Sequence, residues 1–279
     1  MDIEFKELSQ VSLNDIVETV NDIFSDYVIP IEWNALSFEL DIRENSISLK
    51  DSFFMMVNGK KVGICINAIR PGRARIDAFG ILKAHRRKGY GTALLSYALD
   101  DLKWKGANEI FLEVAKEDPA VSFYEKHGFR KKRILTSFYV EKKVNAEPCE
   151  MEEATVEEIY EMAVLNEKEK KRFPNWQREA LTLKLSEERY NRHFIVAKGR
   201  KFGYVVWGTN PNGAYIVDIA PVKMEDYEQL MKGVLACIQR EFMPKNVLIM
   251  NVPQDDPLHE TCMKVGMKPF FEQLEMVKF

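Results

Sequence analysis

Between residues 81 and 95 the chain reads Ile81-Leu-Lys-Ala-His-Arg86-Arg87-Lys88-Gly89-Tyr90-Gly91-Thr92-Ala-Leu-Leu95, a glycine turn joining an apolar strand to an apolar helix. Glycine tolerates positive φ and lets backbone N–H groups come close to a ligand. The first turn of a helix leaves N–H donors unpaired and carries partial positive charge. With the cations Arg86, Arg87 and Lys88 alongside, the stretch suits a diphosphate. It is no nucleotide P-loop, because no Gly-Lys-Ser/Thr follows, and it lacks the third glycine of a dinucleotide fingerprint. No serine or cysteine has an evident activating base, which speaks against a covalent intermediate on either. His85 and His127 flank the chemistry-bearing stretches without a partner at ligand spacing, and no metal is expected.

The surrounding pattern supplies elements to hold this turn. Ile16, Val17, Val20 and Ile23 recur at helical spacing within residues 1–24, and a second helix is predicted around Ser37–Arg43. Phe53–Ile69 is β-rich and broken at Asn58-Gly59, a strong hairpin signal. A strand over Arg75–Leu82 leads into the turn, and Thr92–Lys105 is helical until Gly106. Ile110–Ala115 alternates as a strand. Asp118-Pro119 opens a short helix that Gly128 closes, with Asp as cap and Pro in the first turn. A strand follows over Leu135–Val140, and Glu141–Met151 reads as a linker.

Arg86-x-x-Gly89-x-Gly91, followed by Leu112-Glu-Val114 and by Asp118-Pro-Ala-Val-Ser-Phe-Tyr124-Glu-Lys-His-Gly128-Phe129, resembles the GNAT acetyltransferases over roughly residues 5–140. The resemblance implies an α/β (α+β) fold, a mixed and mostly antiparallel twisted sheet flanked by helices. It implies two central parallel strands, Ile76–Leu82 and Ile110–Ala115, that splay to admit the pantetheine arm of acetyl-CoA. Arg86, Arg87, Lys88, Gly89, Tyr90, Gly91 and Thr92 would hold the diphosphate. A bulge near Phe79, Gly80 and Ile81 would aim an N–H at the thioester carbonyl. Asp118 stands where many members have Asn, and a plain helix cap is the competing role for it.

The same resemblance puts Tyr124 beside the leaving sulfur as general acid, against a reading of Phe123-Tyr124 as core aromatics. A phenol of pKa ~10 protonates a thiolate whose acid has pKa ~8.5 with help from proximity. Asp77 shares a strand face with Phe79 and Ile81 and is the candidate base. Glu113 competes from the neighbouring strand, while Asp26 and Glu32 lie where acceptor-binding segments sit in this fold and mildly favour a cationic acceptor, although a solvated charge is the favoured reading of both. The expected reaction is direct attack of a small-molecule or peptide amine on acetyl-CoA. A non-catalytic acyl-CoA sensor is the alternative.

The second half repeats the first. Val57-Asn-Gly-Lys-Lys-Val-Gly63 matches Ala197-Lys-Gly-Arg-Lys-Phe-Gly203, and Ile110–Phe129 aligns without gaps on Leu248–Met267, including Asp256-Pro257, Lys264 and Gly266. Tandem domains over 1–143 and 150–279 are therefore expected. In the second, Ala220-Pro-Val-Lys-Met-Glu-Asp226 replaces the glycine turn, its carboxylates would repel a diphosphate, and Cys262 stands for Tyr124. That half is expected to have lost its cofactor site and to wall the acceptor cleft, with Trp176, Trp207 and Tyr215 as candidate surface residues, buried core being the default for each.

Composition sets the outer bounds. The chain has 279 residues and a net charge of −3, 30% of residues being charged. Such a balance argues against nucleic-acid binding. The run Arg130-Lys-Lys-Arg133 reads as a solvated strand end or a contact to the adenosine 3′-phosphate. No apolar run reaches the ~20 residues of a membrane helix. The polar, acidic start is unlike a secretory signal, and Cys65, Cys149, Cys237 and Cys262 are scattered, so reduced thiols and a cytoplasmic location are expected.

Overall fold

The computed structural model describes residues 2–27, 32–170, 172–187, 189–197, 199–211 and 213–279. Part of the segment from Asp26 to Glu32, and Lys198 of the repeated hairpin, lie outside the described residues. Two compact units form: Met1–Lys132 with Glu275–Phe279, and Arg133–Leu274.

In the first unit, β1 (Ile3–Glu7), α1 (Leu13–Phe24) and α2 (Ala35–Glu44) precede β2 (Phe53–Val57), β3 (Lys60–Arg70) and β4 (Arg73–Ile81). Then come α3 (Tyr90–Trp104), β5 (Glu109–Ala115), α4 (Ala120–Lys126) and β6 (Arg130–Val140). The sheet order is β1-β2-β3-β4-β5, with only β4 and β5 parallel. Helix α1 starts at Ser12, whose hydroxyl accepts the Asp15 N–H, and it buries Ile16, Val17, Val20 and Ile23. Helix α3 buries Leu94, Leu95, Ala98, Leu99 and Leu102, the stripe expected from its spacing. The helical reading of residues 1–24 needs one correction. Ile3–Glu7 is an edge strand on β2, and only its Ile3/Phe5 alternation signals it.

The second unit runs through β7 (Glu150–Glu153), α5 (Val156–Glu169), α6 (Ala180–Leu185), β8 (Asn191–Ala197), β9 (Arg200–Asn210) and β10 (Gly213–Pro221). It continues with α7 (Tyr227–Phe242), β11 (Val247–Pro253), α8 (Pro257–Lys264) and β12 (Lys268–Lys278). Element for element this is the order of the first unit, as the repeat implies. Even the irregularities recur. Both hairpins shift register at the same place, Met55/Met56 and Ile195/Val196. Asp77 and Val217 are each the unpaired extra residue at the same offset along β4 and β10.

The expected domain limits, 1–143 and 150–279, require correction. Residues Leu135–Val140 of β6 pair antiparallel with β11, so the ladder places them in the second unit, whereas Glu275–Phe279 fall in the first. Trp176 and Trp207 are buried in the second unit, so they are core and not a cleft surface.

Candidate active site

Strands β4 and β5 pair in parallel from Arg73↔Glu109 to Ile76↔Leu112 and no further, although β4 runs on to Ile81 and β5 to Ala115. The unpaired bulge residue Asp77 sits where the ladder ends. The expectation placed this bulge later, near Phe79–Ile81. Its observed place lies at the start of the splay. Beyond it, the Leu82 N–H donates to Val62 O at 2.9 Å. Counting back in twos sends the N–H of Gly80 toward β3 and leaves those of Phe79 and Ile81 on the open edge. Of the three candidates around the thioester carbonyl, these two have donors facing the gap.

The glycine turn has the geometry of an anion site. Arg87 (φ 63°) and Gly89 (φ 82°) are both left-handed, and Gly89 caps α3 without a side-chain acceptor. The first hydrogen bond inside the helix is the Ala93 N–H to Gly89 O. The N–H groups of Arg87, Lys88, Gly89, Tyr90, Gly91 and Thr92 meet no acceptor among the described residues. A Cβ on Gly89 would meet nothing within 4 Å, so the turn faces open space. On Gly91 it would lie 3.6 Å from Phe123 Cζ, which packs the helix start against α4. Gly80 has no such room, since a Cβ there would run into Ile23 Cγ2 of α1.

Not every expected side chain points to the anion. The Arg86 guanidinium makes hydrogen bonds at 2.8 and 3.0 Å to the two carboxylate oxygens of Asp26, at 2.9 Å to Ile23 O and at 3.0 Å to Ile81 O. Arg86 Nη and Nε are thus committed within the protein, and the Asp26 carboxyl, hydrogen-bonded by Arg86, is held below its usual range. Lys88 Nζ reaches Ala84 O at 3.1 Å. The Asp118 carboxylate accepts the Ala120 N–H at 2.7 Å, the capping role, just as Asp256 accepts from Leu258 at 2.9 Å.

Tyr124 is buried among Phe79, Phe123 and Phe129, with ring centroids at 6.2, 5.4 and 5.8 Å. The Tyr124 ring is therefore core, as one of its two readings expects. Its hydroxyl has no hydrogen-bond partner among the described residues. Burial pushes the phenol above its usual range, so the proton stays on oxygen. Asp77 is ion-paired with Arg75, both side chains being buried. Burial raises the Asp77 carboxyl, while Arg75 opposes that shift. Glu113 and Asp41 lie within electrostatic reach of Arg75.

Tyr27 escaped the sequence reading. Its hydroxyl accepts the Ala115 N–H, at the open end of β5, at 3.0 Å. A lone Tyr beyond a helix end gives no periodic signal, although its neighbour Asp26 was singled out.

The run Arg130–Arg133 is locally engaged. Lys131 reaches Glu125 at 3.6 Å, Lys132 reaches Glu275 at 3.2 Å, and Arg133 is buried against Asp255 and Pro174 O. Among the described residues no group of three or more His, Cys, Asp or Glu is placed to hold a metal. No helix of those residues is long and apolar enough to cross a membrane.

The second unit answers the same geometry differently. Strands β10 and β11 part after Ile216↔Ile249, and the Val222 N–H donates to Phe202 O at 2.8 Å, the counterpart of Leu82 and Val62. Counting back from it, Ile219 and Pro221 face the gap, and Pro221 has no N–H to offer. Arg178 bridges the two parted strands, donating to Val217 O on β10 and to Met250 O on β11. Arg172 donates to Asp218 at 3.0 and 3.2 Å, to Asp256 at 3.1 and 3.3 Å and to Ile219 O at 3.3 Å. The Tyr227 hydroxyl donates to Ile219 O at 2.6 Å. The splay is thus filled by the chain itself, and every one of these arginine and aspartate side chains is buried.

A buried cation so placed cannot be removed cheaply. Arg172→Met should cost about 3–5 kcal/mol, because Asp256 would be left buried without its cation and Asp218 with only the more distant Arg178, at 3.9 Å, and the Tyr204 hydroxyl. Denaturant unfolding of the full chain measures this, and a loss under about 1 kcal/mol would show the pair to be solvated.

A model of the acetyltransferase (GNAT) family matches residues 14–129. The chain is 35% identical over 95 residues to N-alpha-acetyltransferase 30 of Schizosaccharomyces pombe, covering 32% of this chain and 63% of that protein. It is 29% identical over 108 residues to the [ribosomal protein bS18]-alanine N-acetyltransferase of Escherichia coli K12, covering 38% of this chain and 70% of that one. The match to the first of these relatives spans somewhat less than two thirds of its length. In fold, 99% of the chain superposes on a GCN5-related N-acetyltransferase from Sphaerobacter thermophilus (TM-score 0.67, 13% identity, 95% of that chain). It also superposes on a tandem GNAT protein from the clavulanic acid biosynthesis pathway (TM-score 0.67, 16% identity, 98% of that chain).

Proposed function

We propose that this chain, whose residues 14–129 match a model of the acetyltransferase (GNAT) family, moves the acetyl group of acetyl-CoA to a primary amine by direct attack in a ternary complex. The observation that carries the proposal is the row of unpartnered N–H groups from Arg87 to Thr92, opening a helix at the end of a splayed strand pair. Such a row supplies donors to a diphosphate at no cost in reorganisation. The N–H groups of Phe79 and Ile81 then face the gap where the thioester carbonyl would lie, ready to stabilise its developing negative charge.

Asp77 is the proposed base. Burial lifts its carboxyl toward the range where it can accept a proton, and a water can relay the amine's proton to it. Tyr124 keeps its proton for the departing sulfur. The acceptor class follows the relatives, whose names describe acetylation of protein α-amino groups. A peptide α-amine is therefore the first acceptor to try, ahead of polyamines, amino acids and aminoglycosides.

The first unit alone holds the cofactor in this proposal, since Arg172, Arg178 and Tyr227 take the acceptors of the second splay. Titration calorimetry should give one acetyl-CoA per chain, and two would contradict the filled splay. Thiol release from acetyl-CoA across the acceptor panel tests the chemistry. The rival is a non-catalytic acyl-CoA sensor, against which the retained Tyr124 argues; binding without thiol release from any amine would select it.

A further inference from the structure

The Tyr124 hydroxyl has no hydrogen-bond partner among the described residues, so no bond at its oxygen fixes where it points. Its place is set by α4, whose seven residues are too few to hold a course by their own hydrogen bonds. The ends decide. At the start, the Asp118 carboxylate accepts the Ala120 N–H. At the other end the Gly128 N–H donates to Glu125 O at 3.0 Å and the Phe129 N–H to Tyr124 O at 3.1 Å. Just past the helix, the Lys278 ammonium donates to His127 O at 2.9 Å. Lys278 falls in the first unit with α4, and its strand is anchored there by the buried Met276 and Val277. It lies directly over the helix-ending turn, since a Cβ on Gly128 would come within 2.5 Å of Lys278 Nζ.

The repeat supplies a control. Helix α8 ends in the same pair of bonds, from the Gly266 N–H to Met263 O at 3.1 Å and from the Met267 N–H to Cys262 O at 3.0 Å. Gly266 has φ 83°, against 87° at Gly128. A Cβ on Gly266 meets nothing within 4 Å, however, and Val265 O, the counterpart of His127 O, meets no side-chain donor among the described residues. This kind of helix end therefore closes without a lysine. The lysine is present where the helix carries a phenol and absent where Cys262 stands in its place.

We propose that Lys278 is a positioning residue for Tyr124, tying down the C-terminal end of α4 so that the phenol is held toward the departing sulfur. The catalytic part rests on the acid role proposed for Tyr124, but the tie itself does not. A cation suits the negative end of a helix and a carbonyl left over there. Displacing a reacting group by about 1 Å can cost roughly 10²-fold in rate, so a tie outside the site is able to act on kcat.

Lys278→Met, which keeps the stem and removes the donor, and Lys278→Arg, which keeps a donor, test this in the full chain, each also combined with Tyr124→Phe. Amide hydrogen exchange at Gly128 and Phe129 needs no ligand. It should quicken roughly tenfold in Lys278→Met, as expected for losing about one hydrogen bond, and stay near wild type in Lys278→Arg. Steady-state kinetics with acetyl-CoA and an alanine-initiated hexapeptide form the second arm. Lys278→Met should lower kcat roughly tenfold, with the peptide KM and the acetyl-CoA Kd each within about twofold, and Lys278→Arg should recover most of the loss. In the Tyr124→Phe background, Lys278→Met should change kcat by less than about twofold, because the group it positions is gone.

Unchanged exchange at Gly128 and Phe129 in Lys278→Met overturns the tie. A kcat unmoved by Lys278→Met, or a loss that recurs in full without the Tyr124 hydroxyl, overturns the positioning role and leaves Lys278 as a structural cap. A wild-type chain that releases no thiol from acetyl-CoA with any amine ends the acetyltransferase reading and the catalytic part with it, and the exchange arm still decides the tie.

Discussion

Gly89→Glu should remove measurable acetyl-CoA binding, a loss beyond roughly a thousandfold, while the chain stays folded. Two effects act on the fold and partly offset each other. A non-glycine residue at φ 82° costs roughly 1–2 kcal/mol. A carboxylate at a helix N-terminus returns about 0.3–1 kcal/mol, since it can accept the orphan N–H groups of the first turn. No steric penalty is added, because a Cβ at Gly89 meets nothing within 4 Å. The same carboxylate that satisfies these donors takes them from a diphosphate and repels it. Gly89→Ala carries the strain without the charge and should weaken binding by no more than about tenfold. Calorimetry on the three proteins, with circular dichroism to confirm folding, checks the contrast. Equal affinities for wild type and Gly89→Glu would mean that the turn holds no diphosphate.

Backbone-dictating residues made most of the architecture legible. Asn58-Gly59 set a hairpin, Asp118-Pro119 and Gly128 bounded a helix, and the same signals at Asp256-Pro257 and Gly266 announced the repeat. What stayed hidden depends on residues far apart in the chain. The 60-residue separation of Asp26 and Arg86 leaves no periodic trace. Neither does the pairing of β6 with β11, because an antiparallel ladder reads the same in sequence whichever partner it finds. The filled second splay was half visible. Asp218 stands in the apolar strand Gly213–Pro221, and a carboxylate so placed demands a buried cation. Arg172 and Arg178 meet that demand from a segment that reads as a polar loop. The bulge is a similar case. Its existence follows from the fold that the glycine turn implies, but its position at Asp77 depends on where β3 stops matching β4, and no residue type marks that.

Tyr124→Phe should lower kcat by about 10²-fold and leave the acetyl-CoA Kd within about twofold, the signature of a donor that acts only as the C–S bond breaks. The substitution is unusually clean. The ring keeps its contacts with Phe79, Phe123 and Phe129. The hydroxyl has no partner among the described residues, so its removal strands no buried acceptor, and unfolding should be unchanged or slightly harder. Burial raises the phenol above its ordinary value, with Tyr27 and Asp118 adding to the shift. The proton is therefore retained throughout the neutral and mildly alkaline range, and is lost only as pH rises past a value above ~10. Any alkaline fall in kcat between pH 8 and 10 must belong to another group and should survive in Tyr124→Phe. The raised value also limits the chemistry. Full transfer to a free thiolate, whose acid has pKa ~8.5, is uphill, so the proton moves as negative charge builds on sulfur, not before. A kcat within twofold of wild type would leave Tyr124 as packing alone, and the thiolate would then depart unprotonated or take its proton from water.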